Sequence, residues 1–160
     1  MMGNNLREML VTKMESFFTE NDWRSYEFDE RYSVFKAGIS LSSKLRSTRM
    51  YVICKENGIS FSFDVNIGTD DECEVQVMEF VTRANNGLTF GSFQMDLDKN
   101  NIQYVLFIPC DDVPSNGLID RTIGTGVSML NRYGNELLAV MFGMKNAKDA
   151  IEEVERKMRE

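Results

Sequence analysis

The sequence predicts an α+β fold: a mainly antiparallel five-stranded sheet with helices packed on one face, in the order α-β-β-β-α-β-β-α-α. Three observations carry that prediction. Residues 59–67 alternate apolar and polar without interruption, the pattern of a strand with one covered and one wet face. Asn57-Gly58 directly precedes that run and is the strongest two-residue hairpin signal, so this strand returns antiparallel to the one before it. Four segments of helical periodicity flank the strand-like stretches, and segregated strands and helices suit an α+β layering.

The first segment, NNLREMLVTKMESFFTEND, places Leu6, Leu10, Met14 and Phe17 on one stripe, reinforced by Met9 and Phe18. Asn4 or Asn5 can cap this helix, and Asn21-Asp22 stops it. Phe35, Ala37, Ile39 and Leu41 alternate as the first strand, and Tyr26 and Phe28 suit a short strand ahead of it. The second strand, Met50 to Lys55, turns at Asn57-Gly58 into the third. There Ile59, Phe61, Phe63, Val65 and Ile67 point inward, and Ser60, Ser62, Asp64 and Asn66 point to solvent.

GTDDECE then opens a helix. Thr69 and Glu72 have capping-box spacing, and Asp70 and Asp71 favour the positive end of the helix dipole. That accounts for the acids between Asp70 and Glu74 without a metal. Cys73, Val77, Phe80 and Ala84 form the buried stripe, with Val81 alongside, and Asn86-Gly87 ends it. LTFGSFQMDL is the fourth strand, with Phe93, Met95 and Leu97 on one face. The fifth, IQYVLFIPC, is apolar on both faces: Ile102, Tyr104, Leu106 and Ile108 on one, Val105 and Phe107 on the other. Such a strand is either sandwiched within its own chain or used at an interface. Phe93, Met95, Val105 and Phe107 on this second hairpin are therefore the candidate dimer or partner interface; the alternative packs Val105 and Phe107 under the last helix.

Pro114-Ser115 opens the third helix, whose stripe runs Ile119, Ile123, Val127, Leu130, Gly134, Leu137, Met141. Gly124, Gly126 and Gly134 each weaken a helix by roughly 1 kcal/mol relative to alanine, so they mark either a close crossing or a break near Arg132-Tyr133-Gly134. Gly143 ends the run. Asn146 caps a last helix with Ala147, Ile151, Val154 and Met158 on one side.

No composition shift or linker divides the 160 residues, and a single domain over 1–160 is expected. The net charge of −7 opposes nucleic-acid binding, which rests on basic patches, and opposes docking on an anionic membrane. Lys44, Arg46 and Arg49 are the nearest approach to a basic run, and their serine-rich setting reads as a turn between strands. Cys54, Cys73 and Cys110 are widely spaced, with no C-x-x-C, which suggests buried free thiols rather than disulfides or zinc. MMGNNLREML has neither a secretory pattern nor the glycine position that myristoylation needs. YVLFIPC is too short to span a bilayer. A reduced, cytoplasmic protein is expected.

Catalytic, cofactor-binding and metal-binding residues are all expected to be none. The chain has no histidine, which removes the commonest general base and metal ligand. Gly124-Thr125-Gly126 is a bare G-x-G in helical register, without the rest of a nucleotide-binding loop. DLDKNN, Asp96 to Asn101, starts like a calcium loop but has Asn101 where glycine and Phe107 where a bidentate acid would be needed. It reads as a hairpin turn. Cys110, or Asp111 with Asp112, would serve an enzyme, yet no residue pattern supplies an activating base.

From Glu79 onward the chain resembles a known family. EFVTRANNGLTFGSFQMDLDKNNIQYVLFIP, then DRTIGTGVSMLNRYGNELLAVMFG and an alanine-containing helix, is similar to the YbjN-domain family over roughly residues 75–155. Asn85, Gly91, Phe93, Asp96 and Tyr104 match its pattern, and Tyr133 falls in the tyrosine step of its closing helix. The resemblance implies a bacterial sensory-transduction regulator with a fold like type III secretion chaperones: a non-enzymatic homodimer that docks other proteins. A small-molecule sensor is the alternative, and an enzyme of unrecognised class the second alternative.

Overall fold

All the helices lie on one side of a single antiparallel sheet in the computed structural model, which describes the backbone of residues 2–160 and the side chains of residues 5–160. The elements are α1 (Met2–Glu20), β1 (Tyr26–Asp29), β2 (Val34–Ser40), β3 (Ser47–Lys55), β4 (Gly58–Val65), α2 (Glu74–Asn85), β5 (Ser92–Asp96), β6 (Asn101–Pro109), α3 (Asn116–Met141) and α4 (Ala147–Met158). Strands are ordered β1-β2-β3-β4-β6-β5 across the sheet. The predicted class and element order hold, with six strands instead of five. Tyr26 and Phe28 do form an edge strand, because Phe28 pairs with Phe35 and their rings meet at 4.5 Å.

The core follows from the alternation. Opposed residues on antiparallel strands point the same way, and the register Ala37–Met50–Phe63–Tyr104–Phe93 makes one inward row across five strands. Phe35, Phe61, Phe63 and Phe80 are completely buried between sheet and helices.

Several boundaries differ from expectation. The helix α1 already begins at Met2, so Asn5 lies within it rather than capping it; the side chain of Asn4 and all of Met1 lie outside the described residues. The Thr69–Glu72 capping box does not form. A 3₁₀ turn, Asp71–Cys73, intervenes, α2 starts at Glu74, and no side chain caps either N-terminus. The reason is tertiary: the Asn100 amide of the β5–β6 hairpin donates to the Thr69 carbonyl at 2.8 Å, fixing that segment ahead of the helix. The fourth predicted strand shortens to Ser92–Asp96, and Leu97 projects from the turn, 53% exposed. DLDKNN is that turn. The Asp96 carboxylate accepts the backbone N–H groups of Asp98 and Lys99, and Asn100 adopts φ +53°.

The third helix runs unbroken, and two of its glycines mark close crossings. A Cβ on Gly126 would stand 2.2 Å from the Phe63 ring, and one on Gly134 2.6 Å from the Ser43 hydroxyl. The loop at Ser43 is clamped by the same helix. Asn131 accepts the N–H groups of Ser42 and Ser43 at 2.8 and 3.1 Å, and Asn135 accepts that of Lys44 at 2.7 Å. Lys44 and Arg46 thus belong to a built turn, with Arg46 at φ +70°. Ser115 and Asn146 cap α3 and α4 as predicted, accepting from the N–H groups of Leu118 and Asp149.

Among the described residues, no helix is long and apolar enough to cross a membrane. The three cysteines are free; Cys54 and Cys110 are buried and Cys73 is half-buried at the start of α2. Burial pushes the Cys54 thiol up to about 12, with Cys110 and Glu15 adding to the rise, and burial also raises Cys110. Since the thiolate is the reactive form, a maleimide at pH 7 is expected to modify one thiol per native chain, at Cys73, with the others reacting only after unfolding. Peptide mass spectrometry reads the site, and rapid native labelling of Cys54 would contradict the burial argument.

Candidate functional site on the open face of the sheet

With the helices on one side, the opposite face of the sheet is covered by no other element among the described residues. Its residues are those the strands alternate away from the core, and the register sets them in rows. Asp29, Val34, Ile53, Ser60 and Phe107 form one row; Glu27, Lys36, Tyr51, Ser62, Val105 and Ser92 form the next. Gly38, Arg49, Asp64, Gln103 and Gln94 follow. Apolar Val34, Tyr51 and Ile53 stand on one side of the β4 serines and Val105 and Phe107 on the other, and the outer positions are mostly polar or charged. A shallow basin of about 600 Å³ runs over this face between Tyr32, Tyr51 and Val105.

The four predicted interface residues divide between the two faces. Val105 and Phe107 point outward, Val105 half-buried and Phe107 38% exposed. Neither packs under α4. Phe93 and Met95 turn inward with their partners Tyr104 and Ile102, and Phe93 is 2% exposed in the core. Val34, Tyr51 and Ile53 are the other apolar residues of this face and were not singled out. The signal existed: Tyr51 and Ile53 alternate with Met50, Val52 and Cys54, so they must face the other way.

Polar groups on this face also bond one another. Ser62 donates its hydroxyl to the Gln103 side-chain oxygen at 2.5 Å. Burial raises the Asp64 carboxyl above its ordinary value, while Ser62 and Arg49 act in the opposite direction.

The groups considered for chemistry lie apart from this face. Cys110 is buried at the end of β6 with its thiol raised, the reverse of what a nucleophile needs. Asp111 and Asp112 are exposed beyond it, and Asp112 accepts the N–H of Val113. No group of three or more His, Cys, Asp or Glu among the described residues is placed to hold a metal ion. Gly124 and Gly126 sit within the long helix α3 rather than in a loop.

The residues that carried the resemblance, Asp96 of the hairpin turn apart, gather in one place. Asn85, at the end of α2, bonds Phe93 twice: its amide donates to the Phe93 carbonyl at 2.8 Å and its oxygen accepts the Phe93 N–H at 2.7 Å. The Phe93 ring meets Tyr104 at 5.0 Å and Tyr133 at 5.2 Å, both edge to face. Tyr104 donates its hydroxyl to the Phe90 carbonyl at 2.5 Å, and Gly91, at φ +80°, leaves room for that hydroxyl. This constellation fastens β5 to the sheet and to α2 and α3. It is a structural signature, and it is what a family pattern preserving this fold would contain.

A family model named YbjN, described as "Putative bacterial sensory transduction regulator", matches residues 11–139. The chain belongs to the YbjN family. The match extends the resemblance back through α1 and the first four strands, and no curated protein and no solved structure matches the chain. The YbjN match therefore includes α1 from Val11, the whole sheet, α2 and most of α3, the elements that build the open face and its support.

Proposed function

We propose that this YbjN-family chain is a non-enzymatic protein-interaction module, a regulator or chaperone-like adaptor. It acts as one domain and as a homodimer, and its docking surface is the open sheet face centred on Val105 and Phe107. One observation carries the reading. The face that no helix among the described residues covers carries apolar Val34, Tyr51, Ile53, Val105 and Phe107 on both sides of the small Ser60 and Ser62, with charged residues toward the edges, a mixture of apolar and polar groups that suits a protein interface. The family's description as a sensory transduction regulator supports a role in relaying signals through protein contacts. Three free thiols suit a reducing cytoplasm.

Capture of tagged protein from lysate of the native host tests this. Wild type is expected to retain a protein partner, and Phe107→Glu to lose it by about 30-fold, the loss of one hot-spot residue of ~2 kcal/mol. Because Phe107 is on the wet face, its circular dichroism and melting curve are expected to stay close to wild type. Unchanged capture by a folded Phe107→Glu variant would sink the assignment of this face.

A further inference from the structure

On the helical side of the molecule, α3 and the last turns of α4 enclose a groove of about 480 Å³. One wall is a single stripe of α3: Ser128, Asn131, Arg132 and Asn135, at the i, i+3, i+4 and i+7 positions that share a helix face. From α4 come Lys157 and the apolar Val154 and Met158. A groove of this size suits a small organic molecule.

The α3 wall carries unmatched donors. Asn131 turns its side-chain oxygen to the N–H groups of Ser42 and Ser43, and Asn135 turns its oxygen to that of Lys44. An N–H must be met by an acceptor, so neither carboxamide can flip, and each keeps its NH₂ end free of that loop. Neither NH₂ group nor the Ser128 hydroxyl donates to a protein acceptor among the described residues, and all three side chains stay partly open to solvent. The Arg132 guanidinium has only the Met129 sulfur, at 4.0 Å.

Charge runs the same way. The chain carries −7, yet this groove collects Arg132 and Lys157, with Lys44 on the loop bound at its wall. The acids beside them are already engaged: Glu136 with Lys145, and Glu153 with Arg156 at 2.6 Å and more distantly with Lys157 at 3.9 Å.

We infer that this groove binds a small phosphorylated molecule. Arg132, Lys157 and the two asparagine NH₂ groups hold the phosphate, and the organic body lies along Val154 and Met158. A phosphate monoester brings close to two negative charges and three terminal oxygens, which match two cations and a fan of donors better than the two oxygens and single charge of a carboxylate. The site is separate from the open sheet face and stands whether or not that face docks a protein. Because the same asparagines hold the β2–β3 loop, an occupied groove ties that loop, α3 and α4 together.

A nitrogen-15 NMR titration of the full chain with phenyl phosphate, at constant ionic strength, tests this. The side-chain NH₂ signals of Asn131 and Asn135 are expected to shift and saturate, with half-saturation below about 1 mM. Benzoate, which has the same ring and a carboxylate, and inorganic phosphate, which has no ring, are each expected to bind at least about fivefold more weakly. Arg132→Glu and Lys157→Glu, both exposed and checked by circular dichroism, are expected to lose at least about tenfold in affinity. Lys148→Glu makes the same change of charge in the separate groove between α2 and α4, and is expected to bind as wild type does. No saturable shift by about 10 mM phenyl phosphate overturns the inference, as does undiminished binding by folded Arg132→Glu. Equal binding of benzoate overturns the choice of phosphate, and equal binding of inorganic phosphate overturns the organic body along Val154 and Met158.

Discussion

Gly126→Ala is expected to destabilise the protein by about 1–2 kcal/mol net, although alanine is the better helix former. Two effects compete. Helix propensity favours alanine by roughly 1 kcal/mol, and over-packing of a filled core costs about 1–3 kcal/mol and occasionally more. The new Cβ would stand 2.2 Å from the Phe63 ring, inside any real contact distance. Phe63 is completely buried in the row between Met50 and Tyr104, so the ring has no room to withdraw and over-packing wins. Gly124→Ala isolates the first effect. A Cβ there meets nothing within 4 Å, and a gain of about 0.5–1 kcal/mol is expected. Urea denaturation of both variants gives the test, and a Gly126→Ala midpoint at or above wild type would mean that the helix can lift off the sheet at no cost.

Asn85→Ala is expected to cost about 2–4 kcal/mol, because it strips both partners from one buried-side backbone position. β5 is an edge strand, and the Phe93 N–H and carbonyl that face away from β6 are satisfied by Asn85 alone. Each polar group left without a partner costs about 1–3 kcal/mol. Asn85→Asp sharpens the result. It keeps the acceptor for the Phe93 N–H but sets a carboxylate oxygen against the Phe93 carbonyl, so it is expected to remain well below wild type. Hydrogen exchange should show early loss of protection at the Phe93 amide; unchanged protection there in Asn85→Ala would place the strand's anchor elsewhere, in the Tyr104 and Tyr133 contacts.

These residues also show which parts of the molecule were legible in the sequence. The alternation of β4 and β6 is a local property, so the outward direction of Val105 and Phe107 could be read directly. What lies beside them could not. β4 takes β6 as its neighbour across the inserted α2 and β5, and only that pairing brings Tyr51 and Ile53 within two strands of Val105. The inward turn of Phe93 has the same origin in its register with Tyr104. The asparagines were read as caps and turn formers, or passed over. Asn85, Asn131 and Asn135 spend their amides on backbone groups 8, 88, 89 or 91 residues away, and no local spacing announces such a bond. Thr69 failed in the opposite sense: its capping-box spacing is local, and a distant Asn100 overrode it.

The clamp of α3 on the β2–β3 corner sets an order of events for the chain as it is made. Ser42, Ser43 and Lys44 lie in the first third of the sequence, and the side chains that hold them, Asn131 and Asn135, arrive near its end. β4 likewise waits for β6 to complete its pairing. During synthesis the first four strands therefore leave the edge of β4 unpaired until β6 has emerged, and the corner unfinished until Asn131 and Asn135 follow. Contacts this distant in sequence slow folding and lengthen the life of aggregation-prone intermediates. On this topology the fold is completed late, and the nascent chain is the state most in need of protection.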